Sequence, residues 1–154
     1  MAKLIKIAYD INSKEGAVQA CLRKKKEISG DVDQGGIKGI GSQSCCSFIS
    51  YVNRDGRVDT IFGNSRIRVP FKVINGVDVG TACVHGELNA LWNVIEDEDR
   101  VPTILSMYIE MSPCVKCAKA LENILSPNQE ILYSFDHPVE VKAWSAAAKK
   151  LCAG

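Results

Sequence analysis

The sequence contains no long apolar run and no N-terminal secretion signal. None of its hydrophobic stretches approaches the ~20 residues that a membrane-spanning helix needs. Residues 1–7 do not show the long apolar segment and cleavage site of a signal peptide. We therefore expect a cytoplasmic protein with no membrane partner.

Net charge and aromatic residues are also scarce. The formal net charge is +1, from 19 basic and 18 acidic residues, and only 6% of the residues are aromatic. A polynucleotide partner is therefore disfavoured, because it calls for a broad basic surface, whereas a nucleotide needs only a few local cations. The densest basic run, residues 23–26, predicts a solvated helix end rather than a phosphate-binding groove.

The cysteines cannot all form disulfide bonds with one another, because the chain has seven of them, an odd number. Without a secretion signal, this count indicates a reduced protein whose thiols pack in the core or bind metal. Five thiols have no partner at ligand spacing, and we expect them to be buried and free. They are Cys21, Cys45, Cys46, Cys83 and Cys152.

The chain does contain an alternation of strands and helices that fits a single domain over residues 1–154. Strands alternating with helices after a hairpin predict an α/β fold, a central mixed sheet of about four to five strands with helices on both faces. The predicted elements are a hairpin of 47–52 and 57–62, a helix over 82–96, a strand over 103–109, a helix from 112, a strand over 130–135 and a helix over 138–151.

Three other parts of the chain have weaker patterns. Residues 3–28 are rich in helix formers, and one kinked helix, two helices or a leading strand over 4–11 all fit. Five glycines within residues 30–41 predict a loop, and 65–80 is predicted to be a connection. In the last helix, Val141 and Trp144 are expected to pack in the core.

Two short stretches carry the chemistry. The first is His85-Gly86-Glu87, and the second is Pro113-Cys114-Val115-Lys116-Cys117. One imidazole and two thiols suit Zn²⁺ and leave a fourth position open for water. The carboxylate beside the histidine is not needed by a structural zinc site. The pair matches the H-x-E…P-C-x-x-C signature of zinc-dependent nucleobase deaminases.

Both stretches lie at predicted helix starts, which suits their chemistry. The partial positive charge of a helix N-terminus favours the thiolate form that binds metal. His85 and Glu87 are two residues apart, so they can face the same side only where the helix is not yet regular. Glu87 could then take a proton from the water and return it to the ring nitrogen and to the departing amine.

Each residue taken alone has a plainer interpretation. Cys114 and Cys117 could be half of a structural zinc site or a redox pair. His85 could be a capping or core histidine, and Glu87 a first-turn charge. Their joint occurrence, in this order and at two helix starts, favours the catalytic interpretation.

The chain resembles the cytidine/deoxycytidylate deaminase superfamily, most closely the deoxycytidylate (dCMP) deaminases, over about residues 44–150. Residues 85–91 (HGELNAL) are similar to the family's H-A-E-x-N-A-I/L, residues 113–119 (PCVKCAK) to P-C-x-x-C-A-K, and Phe62-Gly63-Asn64 to the start of G-Y-N-G. The resemblance implies a three-layer α/β/α fold and the conversion of dCMP to dUMP and ammonia.

The resemblance also implies the roles of individual residues. His85, Cys114 and Cys117 would hold Zn²⁺, and Glu87 would shuttle protons. Asn64 would contact the sugar and phosphate side of the substrate, and the Gly86 backbone would approach the pyrimidine carbonyl. The family further implies a homo-oligomer, commonly a hexamer, often controlled by dCTP and dTTP.

Three departures from the family pattern bear on the substrate and its control. Gly86 replaces the usual alanine, and the missing methyl leaves room for a 5-substituted pyrimidine. Ser65 replaces a glycine and the segment 65–82 is short, which weakens the regulatory pattern. The chain stops soon after its last helix, so the family's final strand is not expected.

Arg66 and Arg68, with Lys72 beyond them, are candidates for pairing with a 5′-phosphate, although solvated loop charges are an equal alternative. The leading hypothesis is deamination of dCMP or a 5-substituted dCMP. One alternative is a deaminase of free cytidine, deoxycytidine or another small aminopyrimidine. Another, from a different class, is a non-catalytic zinc- or nucleotide-binding module.

Overall fold

A computed structural model describes residues 3–28, 45–64, 73–74, 77–78, 102–113, 118, 121–122 and 125–153. Their elements are β1 (Lys3–Lys6), α1 (Gly16–Ile28), β2 (Cys46–Val52), β3 (Val58–Asn64), β4 (Val73–Ile74), β5 (Val77–Asp78), β6 (Thr103–Met111), β7 (Glu130–Phe135) and α2 (Val141–Ala153). The predicted helix over 82–96, the predicted loop over 30–41 and Cys83 lie outside these residues. Of the helix predicted from 112, Ala118 and Leu121–Glu122 are described, and they are helical.

Five strands form one mixed sheet in the order β1-β7-β6-β2-β3. β7 runs parallel to both β1 and β6, whereas β2 is antiparallel to both β6 and β3. β6 lies at the centre, and its last five residues are all buried, as expected for a strand covered on both faces. The predicted α/β class with a mixed sheet is confirmed.

The N-terminal region consists of a short strand and a helix, which resolves the alternatives for residues 3–28. β1 pairs with β7 at the sheet edge. A turn follows, in which the Ser13 hydroxyl accepts the Glu15 N–H at 3.1 Å, and α1 begins at Gly16. The stripe Val18, Cys21 and Leu22 is fully buried against the sheet.

The prediction of a solvated basic run over 23–26 is wrong for one residue. Arg23, Lys24 and Lys26 are exposed, but Lys25 is fully buried. Lys25 follows Val18 and Leu22 at helical spacing, which places it on the apolar side of α1.

The predicted hairpin is confirmed as β2 and β3, with Phe48 opposite Phe62. Asn53 closes the turn, since its side-chain oxygen accepts the N–H groups of Asp55 at 2.9 Å and Arg57 at 3.0 Å. Gly56 has a φ of 76°, a left-handed conformation that favours glycine.

A second hairpin corrects the prediction that 65–80 is only a connection. β4 and β5 pair antiparallel, Val73 with Asp78 and Ile74 with Val77. In the sequence Asn75-Gly76 stands between them, and an Asn-Gly pair flanked by apolar residues is a strong hairpin signal.

α1 and α2 pack on the same face of the sheet. Val18 and Leu22 of α1 and Leu151 of α2 join a core with Tyr108 and Leu132. The predicted last helix starts three residues late, at Val141, because residues 137–140 form a turn. Trp144 is buried as predicted, but Val141 is 37% exposed in the first turn, so its predicted packing is wrong. No helix in the described ranges combines the length and apolar character that crossing a membrane requires.

Candidate active site

Three neighbouring strands, β3, β2 and β6, have ends that lie close together at one edge of the sheet. Asn64, the last residue of β3, is the register partner of Cys46, the first residue of β2. Ser47 is in turn opposite Ile109 of β6. With strands about 4.8 Å apart, the backbone of Asn64 lies about 10 Å from the end of β6. β6 leads directly into Ser112-Pro113 and the predicted ligands Cys114 and Cys117.

Most of the predicted site residues lie outside the described part of the chain. This holds for His85, Gly86, Glu87, Arg66, Arg68, Cys114 and Cys117. The backbone of Asn64 is described and ends a strand at the predicted edge. Among the described residues, no three His, Cys, Asp or Glu side chains are placed to hold a metal ion.

Ser112, two residues before Cys114, is anchored to the end of β7. Its N–H donates to the Phe135 carbonyl at 2.8 Å, and its hydroxyl accepts the His137 N–H at 2.9 Å. Ser112 is also the residue at which the sequence predicts that the next helix begins, and residues 114–117 of that helix lie outside the described part of the chain. Among the described residues, this hydroxyl connects the end of β6 with the turn before α2.

A buried carboxylate lies at the same end of β6, four residues before Cys114. Glu110 is fully buried, and its oxygens accept hydrogen bonds from the Lys25 ammonium at 2.8 and 2.9 Å and from the Cys46 N–H at 2.8 Å. The Trp144 indole N–H donates to it at 3.1 Å, and the Tyr9 hydroxyl donates to it as well. We call these five residues the Glu110 cluster.

The charges of this cluster change the ionisation of its neighbours. Burial is the strongest single influence and would lower the pKa of Lys25. The charge and hydrogen bonds of Glu110, together with the Cys46 and Cys45 thiols, outweigh it, so the pKa is raised and Lys25 stays protonated. Burial, reinforced by Glu110, raises the pKa of Tyr9. The same two causes raise the pKa of the Cys21 and Cys46 thiols well above their ordinary value. Both thiols are therefore neutral, inert core groups near neutral pH.

The prediction of buried cysteines without disulfide bonds is confirmed in part. Cys21, Cys45, Cys46 and Cys152 are all thiols rather than disulfides, but only Cys21 and Cys46 are fully buried, and the other two are half-buried.

Two features of the sequence indicate the Glu110 cluster, although the motifs of the predicted site do not include it. Lys25 continues an apolar helical stripe, and Glu110 is the one charged residue in the strand Thr103–Met111. Lysine and glutamate are almost never fully buried unless they are paired. Two charged residues of opposite sign at predicted buried positions therefore indicate an ion pair.

An open groove of about 370 Å³ lies at the opposite edge of the sheet. Its lining comprises Ile104 and Leu105 near the start of β6 and Ser126, Asn128, Gln129 and Glu130 before and at the start of β7. Because parallel β6 and β7 both begin there, this groove is distant from the strand ends that carry the predicted site.

Two comparisons with known proteins complete this description. The model of the family described as the cytidine and deoxycytidylate deaminase zinc-binding region matches residues 2–131. A comparison with curated proteins gives no match.

Proposed function

Because the chain belongs to the cytidine and deoxycytidylate deaminase family, we propose that it deaminates dCMP or a 5-substituted dCMP to the corresponding uracil nucleotide. Membership makes the chain a zinc-dependent hydrolytic deaminase. The finer proposal concerns its substrate and the residues that carry the reaction. The observation that carries it is the convergence of Asn64 and Ser112-Pro113 at one sheet edge.

The donor set of the two motifs fits zinc. His85, Cys114 and Cys117 supply one imidazole and two thiolates, the ligand types of catalytic zinc sites with an open fourth position. When bound, zinc lowers the pKa of a water from about 15.7 toward 7 and so provides a nucleophile near neutral pH.

Glu87 is the proposed proton carrier. Its carboxylate accepts a proton from the attacking water and delivers it to N3 of the cytosine ring. It then delivers the second proton to the amine leaving C4. The reaction balances as water plus aminopyrimidine giving the oxo-pyrimidine and ammonia.

The proposed substrate contacts follow from the order of residues after β3. Asn64 ends the strand at the site edge and would contact the sugar and phosphate side. Arg66 and Arg68 come next and would pair with the 5′-phosphate. Gly86 would bring its backbone to the pyrimidine carbonyl and leave space at C5.

Ammonia release from dCMP, 5-methyl-dCMP, deoxycytidine and cytidine tests this proposal. We expect kcat/KM for dCMP to exceed that for deoxycytidine at least about 10-fold, because hydrogen bonds to a charged group contribute about 1.5–3 kcal/mol. Changing Arg66 and Arg68 to Gln should lower kcat/KM for dCMP by about 10–100-fold and leave deoxycytidine turnover unchanged. Arg57→Gln, an exposed residue just before the start of β3, is the matched control and should alter neither.

The same assay separates the alternatives. Faster turnover of deoxycytidine than of dCMP would assign the enzyme to free nucleosides. Ammonia release from none of these compounds, with zinc bound, would overturn the proposed substrate and favour either another small aminopyrimidine or a non-catalytic zinc- or nucleotide-binding module.

The proposal extends to the assembly and its control. We propose a cytoplasmic homo-oligomer of single-domain chains, up to a hexamer, which light scattering of the purified protein measures. dCTP and dTTP are the proposed effectors. The short segment 65–82 predicts a weak response, which assays with and without each nucleotide would reveal.

A further inference from the structure

The Glu110 carboxylate is held by donors from four separate parts of the chain. Tyr9 follows β1, Lys25 lies on α1, the Cys46 N–H begins β2, and Trp144 lies on α2. An ionised carboxylate has about four lone-pair sites. Four donor groups at hydrogen-bond distance fill them, so the position of this side chain is fixed from every side.

The position of the cluster in the sheet links the two halves of the candidate site. Glu110 is the last residue but one of β6, and it precedes Cys114 by four residues in the sequence. Its bond to the Cys46 N–H, at 2.8 Å, holds the start of β2, and Cys46 is the register partner of Asn64. One carboxylate therefore joins the strand that leads to the thiols with the strand end that carries the substrate asparagine.

Stability alone does not account for this arrangement. Replacing a buried ion pair by apolar residues of similar volume is often neutral or stabilising, because the charges must be desolvated. Lys25 and Glu110 are both fully buried, and they are the only charged side chains that are buried among the described residues. A requirement for geometry therefore explains the burial of this pair more readily than stability alone does.

We propose that Glu110 is a positioning residue of the deaminase site, with Lys25 as its counter-charge. It sets the separation between the Asn64 strand end and the end of β6, from which the chain continues to Cys114 and Cys117. This inference rests on the proposed assignment of Cys114 and Cys117 as zinc ligands. Glu110 acts through the backbone and touches neither substrate nor metal.

The decisive variant is Glu110→Leu combined with Lys25→Met, which replaces the ion pair by apolar groups of similar volume. Because leucine also removes the acceptor for the Tyr9, Cys46 and Trp144 donors, we expect this variant to fold with a lowered Tm, and its zinc binding is measured well below that Tm. Its zinc Kd, measured by chelator competition, should rise about 10–100-fold, as losing the residues that support metal ligands typically does. With Co²⁺ in place of zinc, its d–d absorption bands should shift and weaken relative to the unmodified protein.

Two further variants keep the result interpretable. Glu110→Gln with Lys25→Met retains one acceptor for the Cys46 N–H and should show an intermediate zinc Kd, and it gives the answer should the leucine variant fail to fold. Lys24→Met with Glu27→Gln removes an exposed Lys–Glu pair from the same helix and should change nothing.

The outcomes separate this inference from the proposed function. If the folded Glu110→Leu, Lys25→Met variant has the same zinc Kd and cobalt spectrum as the unmodified protein, the positioning role alone is overturned. An unmodified chain that shows no thiolate-to-cobalt charge-transfer band, or one whose band survives Cys114→Ser combined with Cys117→Ser, would overturn the ligand assignment and this inference with it.

Discussion

Lys25 has no contact with water, and its ammonium lies 2.8 and 2.9 Å from the two Glu110 oxygens and 5.1 Å from the centre of the Trp144 ring. The opposite charge of Glu110 stabilises the ammonium group at this buried position, since the length of the side chain does not carry it to solvent. Its counterpart on the same helix, Lys24, is exposed and makes only a loose 3.8 Å contact with Glu27.

We predict that Lys25→Met lowers the free energy of unfolding by about 3–5 kcal/mol, because it leaves the Glu110 charge buried without its partner. Urea denaturation measures this loss. Lys24→Met is the matched control and should be close to neutral, since exposed ion pairs contribute little. Equal losses in the two variants would contradict the proposed importance of the buried pair.

A second prediction concerns Glu87. Glu87→Gln keeps the size of the side chain but cannot accept a proton, so kcat should fall by about 10²–10⁴-fold or more. Zinc content, measured by elemental analysis, should remain at the level of the unmodified protein. Glu122→Gln, an exposed glutamate in the helical residues after the thiol motif, should leave kcat unchanged. Undiminished deamination by Glu87→Gln would refute the proton-carrier role.

Single residues differ in how far the sequence alone predicts them. The motif residues could be predicted because zinc and proton transfer demand particular side chains at particular spacings. The Lys25–Glu110 pair was not predicted, since its members are 85 residues apart and only the folded sheet brings them together. Each is a charged residue at a position where the local pattern predicts an apolar one, and its partner lies far away in the sequence.

At the level of elements, the β2–β3 turn depends on the backbone conformation of one glycine. Gly56 has a φ of 76°, and an added Cβ would meet nothing within 4 Å. The penalty for another residue there is therefore conformational rather than steric crowding by neighbours.

We predict that Gly56→Ala destabilises the chain by about 1–2 kcal/mol, the cost of a left-handed conformation for a residue with a Cβ. Gly16→Ala is the control. Gly16 begins α1 without a positive φ and with open space around it, so alanine there should be neutral or stabilise by up to about 1 kcal/mol. The two urea denaturation curves should thus shift in opposite directions or differ clearly in size.

Elements with a strong local pattern were predicted well, and those defined by pairing were not. The hairpin of β2 and β3, the strands β6 and β7 and the burial of Trp144 all followed from alternation and helical spacing. β1 has only four residues, all exposed, and is defined by its pairing with β7 rather than by its own sequence. The start of α2 at Val141 depends on the preceding turn, whose hydrogen bonds the periodicity does not reveal.

At the scale of the whole molecule, burial of ionisable groups predicts a loss of stability in alkali. Burial raises the pKa of Cys21 and Cys46 well above their ordinary value. A raised pKa means that the folded chain retains protons that the unfolded chain releases. In the unfolded chain a thiol has a pKa of about 8.5. The stability contributed by the neutral buried thiols is complete below that pH and is lost as the pH rises above it.

We therefore expect the free energy of unfolding to fall by up to about 1.4 kcal/mol per pH unit for each of these thiols above about pH 8.5. Urea denaturation at several pH values, with a reducing agent present, gives this slope. Cys21→Ala should reduce the slope by about the share of one thiol. A flat profile would show that the thiols ionise without unfolding.

The Glu110 cluster has a consequence for the lifetime of the folded state. Its hydrogen bonds join residues that are 34, 64, 85 and 101 positions apart, so the cluster can form only after the chain has closed several long loops. Contacts absent from the folding transition state affect unfolding rates more than folding rates. We expect the loss caused by Lys25→Met to appear in the unfolding arm of a chevron plot, with a φ-value near zero. Slower folding with an unchanged unfolding rate would place the cluster in the nucleus instead.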